Sequence, residues 1–130
     1  HFEVALNLAV TLTEDNSDDS ISAALSPVKA MLGFYIGGMG ARGQNYHTKL
    51  MARMGFEAEA HQIQDLFLEG RRDEAIATVP DRFADEISLV GTPERIRDRL
   101  QAFEESPVTM LNVAPRSNDH LRQVAELIQV

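Results

Sequence analysis

The sequence contains no cysteine, which excludes disulfide bonds and thiolate chemistry and favours a cytoplasmic protein. It also lacks an apolar run near the roughly 18 residues that a membrane span needs, and no signal-peptide pattern opens it. Positive charge is scarce, since 12 basic residues stand against 20 acidic ones and give a net charge of −8. Such a surface repels polyanions, so we expect neither a nucleic-acid partner nor a membrane partner.

Clusters of metal-ligating or catalytic residues are equally absent from the sequence. His47, His61 and His120 lie too far apart for metal-ligand spacing, and no Ser/His/Asp arrangement or carboxylate pair can be argued from the order of residues. We therefore expect no metal site, and the catalytic residues stay unknown at this stage.

The length and the first residues bear on domain organisation. A chain of 130 residues that is 44% hydrophobic is long enough for one core. It begins at His1, and an apolar run follows at once, whereas native termini usually begin with a few loosely held polar residues. We expect residues 1–130 to form a single domain or a fragment of a larger protein.

The apolar patterns predict an α/β fold with about three strands. Near-continuous apolar runs favour strands that are covered on both faces, as in a parallel sheet. Such runs occupy Phe2–Leu12, Ile87–Val90 and Val108–Val113. Helical patterns alternate with them, and this alternation is typical of parallel α/β architecture.

The helix boundaries carry clear local signals. The stripe that begins at Ile21 predicts a helix that Pro27 should kink or divide. Gly55 is a candidate C-cap for the next helix. Thr92 as N-cap with Pro93 at the first helical position is a strong helix start. Further helices are predicted over about Ala58–Glu69, Arg71–Val79 and 81–86, and after Ser117 or Asn118.

The run YIGGMGARGQNY is the best candidate binding site. Gly37, Gly38, Gly40 and Gly43 surround Arg42, and glycine-dense backbone can direct several N–H groups toward an anion. Arg42 adds a planar fork that suits phosphate or carboxylate, and Asn45 offers a further polar contact. The alternative is a tight helix-to-helix connection in which the glycines only permit the turn.

Two other anion candidates follow predicted strands. Thr92 stands at a helix N-terminus just after a strand, and Arg116 follows the last strand. A helix-capping role alone accounts for Thr92, and simple exposure to solvent accounts for Arg116. For each residue, the anion-binding interpretation and the ordinary one both stay open.

Four segments together resemble one family. They are IGGMGARGQNY, HQIQDLFLEGRRDEAIATVPD, ISLVGTPERIRDRL and VTMLNV, in this order. The chain is similar to the C-terminal part of the bacterial luciferase-like oxidoreductases, in particular the branch that uses the deazaflavin coenzyme F-420. The resemblance covers essentially the whole chain.

The resemblance implies the C-terminal part of a (β/α)8 barrel, with the three predicted strands as the sixth, seventh and eighth. Such a barrel needs about 200 residues or more, so the barrel is incomplete in this chain. The family transfers hydride between the deazaflavin and a small organic substrate. We expect the isolated chain to be inactive, because most of the cofactor pocket would be absent. The site residues would contact a phosphate or an acidic tail of the cofactor, or else an anionic group of the substrate.

Two other functions stay open. One is a luciferase-like monooxygenase dependent on flavin mononucleotide. The other is a non-catalytic assembly module, because unpartnered apolar strands should drive association. We accordingly expect a homo-oligomer or a missing N-terminal half as partner.

Overall fold

The structure is a computed structural model and describes residues 2–128. The strands are β1 (Ala5–Leu8), β2 (Val10–Leu12), β3 (Leu89–Gly91) and β4 (Met110–Val113). The α-helices are α1 (Asp18–Gly38), α2 (Tyr46–Met51), α3 (Glu57–Leu68), α4 (Arg72–Thr78), α5 (Asp81–Glu86), α6 (Pro93–Glu104) and α7 (Asn118–Ile128). A π-helical segment, Ala52–Phe56, connects α2 to α3. The predicted mixture of parallel strands and several helices is confirmed.

The chain forms two compact units. The first unit contains the described residues up to Ala24 together with those from Ile87 onward. The second unit is Leu25–Glu86. Each unit has its own buried apolar side chains.

The strands of the first unit pair in parallel. β1 pairs with β4, with Ala5 opposite Met110 and Leu8 opposite Val113. β2 pairs with β3, with Val10 opposite Leu89 and Leu12 opposite Gly91. These are two two-stranded sheets within the part of the chain that the structure describes.

The prediction of one doubly covered strand over Phe2–Leu12 is wrong. The extended segment changes partner at Ala9, whose carbonyl accepts a 2.8 Å hydrogen bond from the amide of Leu89. Its first half pairs with β4 and its second half with β3. Ala5, Leu6 and Asn7 are exposed, so β1 lacks the cover on both faces that its apolar composition predicts.

The core of the first unit lies where α6 and α7 pack against the strands. Ile96 of α6 and Val124 and Leu127 of α7 are buried with Leu8, Val10 and Leu89. The predicted start of α6 is confirmed, because the Thr92 hydroxyl accepts a hydrogen bond from the amide of Arg95 and Pro93 is the first helical residue.

In the second unit, α1 is continuous through Pro27. The alternative in which Pro27 divides this helix is therefore wrong. The proline lies on an exposed part of the helix, while Leu25, Val28, Leu32 and Ile36 on the other side are buried. Burial of that apolar face outweighs the loss of one hydrogen bond at the proline.

The remaining helices of the second unit follow the predicted boundaries closely. Gly55 has φ +97°, so the left-handed residue that the C-cap prediction requires is present between α2 and α3. Ile63 of α3 and Phe83 of α5 are buried. Lys29 of α1 pairs with Asp81 of α5 at 2.7 Å. Among the described residues, no helix has both the length and the apolar character that a membrane crossing requires.

Candidate functional site

The first two glycines of the candidate run belong to a helix-packing contact. Gly37 and Gly38 are the last two residues of α1, and both lie against the side chain of Phe67 in α3. A Cβ at Gly38 would be 2.6 Å from the Phe67 ring, and one at Gly37 would overlap the same side chain. Any larger residue at these positions would require the Phe67 side chain or the helices themselves to shift.

The next two glycines form the turn that follows α1. A Cβ at Gly40 would lie 3.0 Å from the Cα of Asn45, so the turn closes tightly on the start of α2. Gly43 has φ +75° and open space where a Cβ would be. Its backbone conformation, rather than its packing, requires glycine.

Asn45 connects the end of α1 to the start of α2. Its Nδ2 donates to the carbonyls of Tyr35 at 2.9 Å and Ile36 at 2.8 Å. Its Oδ1 accepts from the amide of His47 at 2.9 Å and from that of Thr48 at 3.4 Å. The side chain is buried and uses both of its donors and its acceptor within the protein.

Arg42 stands apart from these packing residues. Its side chain is 62% exposed and forms an ion pair with Asp65 of α3, whose side chain is 47% exposed. A planar guanidinium can bind an oxyanion through two parallel hydrogen bonds. An incoming anion would share Arg42 with Asp65 or displace that carboxylate.

The structure thus brings all six predicted site residues together at the end of α1 and in the connection to α2. Gly37, Gly38, Gly40 and Asn45 have packing or capping roles there, and Arg42 and Gly43 are exposed. The assignment of these residues to a cofactor or substrate anion stays a prediction.

A second polar region lies in the first unit, at the carboxyl ends of the parallel strands. Asn16, in the loop after β2, contacts Thr92 after β3 through two hydrogen bonds. Its Nδ2 donates to the Thr92 hydroxyl at 3.1 Å, and its Oδ1 accepts from the Thr92 amide at 3.0 Å. No local pattern in the sequence marks Asn16, and 76 residues separate the two side chains, so this contact is not visible in the sequence.

The loop after β4 reaches the same strand ends. Arg116 Nη2 donates to the Thr11 hydroxyl at 3.3 Å, and the Arg116 amide donates to His120 Nδ1 at 3.1 Å. His120 Nε2 is buried, without a hydrogen-bond partner in the described structure. Arg116 is thus exposed, as the sequence indicates, but it is anchored to Thr11 rather than free in solvent.

Two carboxylates near these strand ends, Asp15 in the loop after β2 and Glu94 in the first turn of α6, are held in their ionised form. The hydroxyl of Ser17, then that of Ser20, lowers the pKa of Asp15 from 3.8 to about 2. The backbone N–H of Glu94 lowers the pKa of its own carboxyl group, and the Thr92 hydroxyl adds to this effect. Hydrogen bonds to the charged form stabilise it, so both carboxylates carry negative charge at neutral pH.

Other titratable residues form no catalytic cluster in the described structure. The ring of His47 packs edge-on against Tyr35 and Tyr46, and His61 Nε2 lies 3.9 Å from Glu57 Oε1 on the surface of α3. Within residues 2–128, no group of three or more histidine or acidic side chains could hold a metal ion.

Comparison with known proteins identifies the family. Residues 2–110 match the family model described as luciferase-like monooxygenase. The chain is also 33% identical over 127 residues to a Mycobacterium tuberculosis protein whose name is "putative coenzyme F-420-dependent oxidoreductase". That alignment covers 98% of this chain and 35% of the relative, so the chain spans about a third of the relative's length. On both matches, this chain belongs to the luciferase-like monooxygenase family.

Proposed function

We propose that this chain is part of an oxidoreductase that transfers hydride between coenzyme F-420 and an organic substrate. The observation that carries the proposal is the identity of 33% across 98% of the chain to the mycobacterial relative, whose name states dependence on that coenzyme. The deazaflavin, when bound, supplies the hydride chemistry, and the protein binds and orients it.

We also propose that the chain forms the C-terminal part of a (β/α)8 barrel. β1 with β2, β3 and β4 would be the sixth, seventh and eighth strands. The parallel pairing of β2 with β3 and the alternation of β3, α6, β4 and α7 support this placement. The pairing of β1 with β4 does not, because it joins the sixth strand to the eighth, and these strands are not neighbours in a closed barrel. A closed barrel contains eight strands, and its active site is assembled from the loops after many of them. The chain alone would then lack most of the pocket and would be inactive.

Arg42 is the residue proposed to meet an anionic part of the cofactor or substrate. Its exposed guanidinium and the open backbone at Gly43 fit a phosphate or a carboxylate, the groups that such a fork binds best. Gly37, Gly38, Gly40 and Asn45 would act indirectly, because their contacts fix the turn that presents Arg42.

The test is cofactor binding by the product of the native gene. We expect the gene product to bind F-420 stoichiometrically, as monitored by the quenching of F-420 fluorescence. We expect no binding to the purified 130-residue chain. A gene product that binds neither F-420 nor flavin mononucleotide contradicts the proposal. Binding of either cofactor by the isolated chain contradicts the proposal that it lacks most of the pocket.

Variants of the gene product test Arg42 separately. Arg42→Ala should weaken F-420 binding about tenfold, the usual scale for one charge-assisted contact. Arg53→Ala is the matched control, since Arg53 is also an exposed arginine of the second unit. Asp65→Asn should leave binding unchanged or tighten it, because it removes the carboxylate that competes for Arg42. Equal weakening by Arg42→Ala and Arg53→Ala contradicts the assignment.

Flavin mononucleotide is the alternative cofactor that the resemblance leaves open. Competition between the two cofactors for the gene product distinguishes them. The non-catalytic assembly module remains a second alternative, favoured by exposed apolar side chains such as Phe2 (94% exposed). A cytoplasmic location remains a prediction that rests on the cysteine-free composition.

A further inference from the structure

Buried polar side chains concentrate around the connection between α1 and α2. In the part of the chain that the structure describes, the buried polar side chains are Asn45, Thr48, Gln64 and Ser88. The first three of them donate hydrogen bonds to backbone carbonyls between positions 35 and 41. A buried amide or hydroxyl is unfavourable unless it is hydrogen-bonded, and a fully bonded buried network rigidifies the segment that it contacts. The connection that carries Arg42 is therefore held from the inside.

Gln64 is the member of this group that no cap explains. It lies within α3 and is 2% exposed, whereas Asn45 caps the start of α2. An apolar side chain of similar size would fill the same position without a polar group to satisfy. The Nε2 of Gln64 donates to the Ala41 carbonyl at 3.4 Å. This contact reaches the residue that precedes Arg42.

Residues 41–44 form a β-turn of type II. The Gln44 amide donates to the Ala41 carbonyl at 2.9 Å, and Gly43 at the third position has φ +75°, as type II requires. Arg42 occupies the second position of this turn. Together with Gln64, the Ala41 carbonyl accepts two hydrogen bonds, as many as its two lone pairs allow. The orientation of this carbonyl is thus fixed from two sides.

The fixed carbonyl also sets the direction of the next amide. The peptide bond between Ala41 and Arg42 is trans and planar, so the N–H of Arg42 points away from the Ala41 carbonyl. That carbonyl is directed at the buried Gln64, which leaves the N–H directed toward the exposed side of the turn, where Arg42 and Gly43 lie. Backbone N–H groups and guanidinium groups both bind oxyanions.

We propose that Gln64 is a positioning residue for an oxyanion site that consists of the Arg42 amide and the Arg42 guanidinium. The proposal rests on the proposed function, in which Arg42 meets a phosphate or a carboxylate of the cofactor or substrate. Gln64 keeps the peptide between Ala41 and Arg42 in the orientation that directs the amide outward. Without this contact the peptide can rotate, because Gly40 and Gly43 on either side permit many backbone conformations.

The affinity of the native gene product for F-420, measured by the quenching of F-420 fluorescence, tests the role of Gln64. Gln64→Met keeps a helix-forming side chain of similar length and removes the donor, and the Ala41 carbonyl retains its bond from the Gln44 amide. We expect about fivefold weaker binding, the scale of one hydrogen bond. Gln62→Met is the matched control, because Gln62 is an exposed glutamine of the same helix, and it should bind like the wild type.

Two substitutions of Arg42 separate its amide from its guanidinium. Arg42→Ala removes the guanidinium and keeps the amide, whereas Arg42→Pro removes both and suits the second position of the turn. Arg42→Pro should therefore bind F-420 about fivefold more weakly than Arg42→Ala. Adding Gln64→Met should weaken binding further in Arg42→Ala but not in Arg42→Pro, because only the former retains an amide to orient. A merely structural role of Gln64 would weaken both equally.

Inorganic phosphate gives a second readout, which does not depend on the cofactor. In NMR spectra of the gene product, phosphate should shift the amide resonance of Arg42, and Gln64→Met should abolish this shift while Gln62→Met preserves it. An Arg42 amide that phosphate leaves unshifted overturns the proposal, whether or not the gene product binds F-420.

The failure of this proposal is distinguishable from the failure of the proposed function. Wild-type affinity in Gln64→Met, or equal effects of Gln64→Met in the two Arg42 backgrounds, overturns the role of Gln64 while a weakened Arg42→Ala still supports the assignment of Arg42. Wild-type affinity in Arg42→Ala contradicts the assignment of Arg42 to the cofactor, and the phosphate readout then decides the role of Gln64 by itself.

Discussion

Replacing Asn45 should destabilise the second unit more than replacing any neighbouring exposed residue. Asn45→Ala removes the N-cap of α2, a loss of about 1 kcal/mol, and two hydrogen bonds to the carbonyls of Tyr35 and Ile36. Each of those bonds contributes about 1 kcal/mol when buried. The free energy of unfolding should fall by about 3 kcal/mol, a large part of the 5–15 kcal/mol typical of a domain.

A negative charge at the same position should lower the free energy of unfolding further. Asn45→Asp keeps the acceptor that caps α2 but directs a carboxylate oxygen at the carbonyls of Tyr35 and Ile36. A buried negative charge facing two carbonyl oxygens lacks compensation. We expect Asn45→Asp to be less stable than Asn45→Ala at pH 7. The gap should narrow in acid, because a protonated carboxyl can donate one of the two missing bonds.

Urea unfolding followed by circular dichroism measures these effects, with Gln44→Ala as the control because that side chain is exposed. The control should change stability by less than about 0.5 kcal/mol. A loss under about 1 kcal/mol for Asn45→Ala, or wild-type stability for Asn45→Asp, would refute the reasoning. The buried hydrogen bonds of Asn45 would then contribute little to the connection between α1 and α2.

Three further outcomes follow from single contacts. Gly38→Ala should lower the free energy of unfolding, measured in urea, by about 2 kcal/mol, since its methyl group would overlap the ring of Phe67. A Gly38→Ala, Phe67→Leu double variant should recover part of this stability. The Asp15 carboxyl should titrate near 2 by NMR, and Ser17→Ala should return its pKa toward 3.8. Because the folded-state pKa is the lower one, ionised Asp15 stabilises the fold above pH 3.8 and this contribution disappears as the pH falls through about 2. Thr92→Ala should lower the free energy of unfolding by about 1 kcal/mol, because α6 loses its N-cap. Thermal unfolding measures this effect, and an unchanged midpoint would contradict the capping role.

Features that depend on neighbouring residues were predictable from the sequence. Thr92 and Pro93 start α6 because a capping hydroxyl and a fixed φ act within one turn. Gly55 separates α2 from α3 for an equally local reason, its positive φ. The apolar stripe that begins at Ile21 likewise predicted a helix, and α1 spans Asp18–Gly38.

Features that depend on distant residues were not predictable. The composition of Phe2–Leu12 gives no sign that the strand changes partner at Ala9. The carbonyl of Ala9 accepts its hydrogen bond from the amide of Leu89, which is distant in the sequence. Nor does any pattern connect Asn16 with Thr92, or Arg42 with Asp65. Tertiary contacts of this kind follow from how elements dock, which a single sequence does not specify.

The glycine run shows why a residue type alone cannot separate a binding loop from a packing contact. Glycine is required where two helices come close and also where backbone N–H groups must surround an anion. Phe67 accounts for Gly37 and Gly38 completely through close packing, so their presence carries no information about a ligand. Arg42 differs, because the packing of α1 and α2 does not require an exposed guanidinium. Its acidic neighbour Asp65 comes from α3. The loss of anion binding in Arg42→Ala, compared with the Arg53→Ala control, therefore separates the two roles where the glycines cannot.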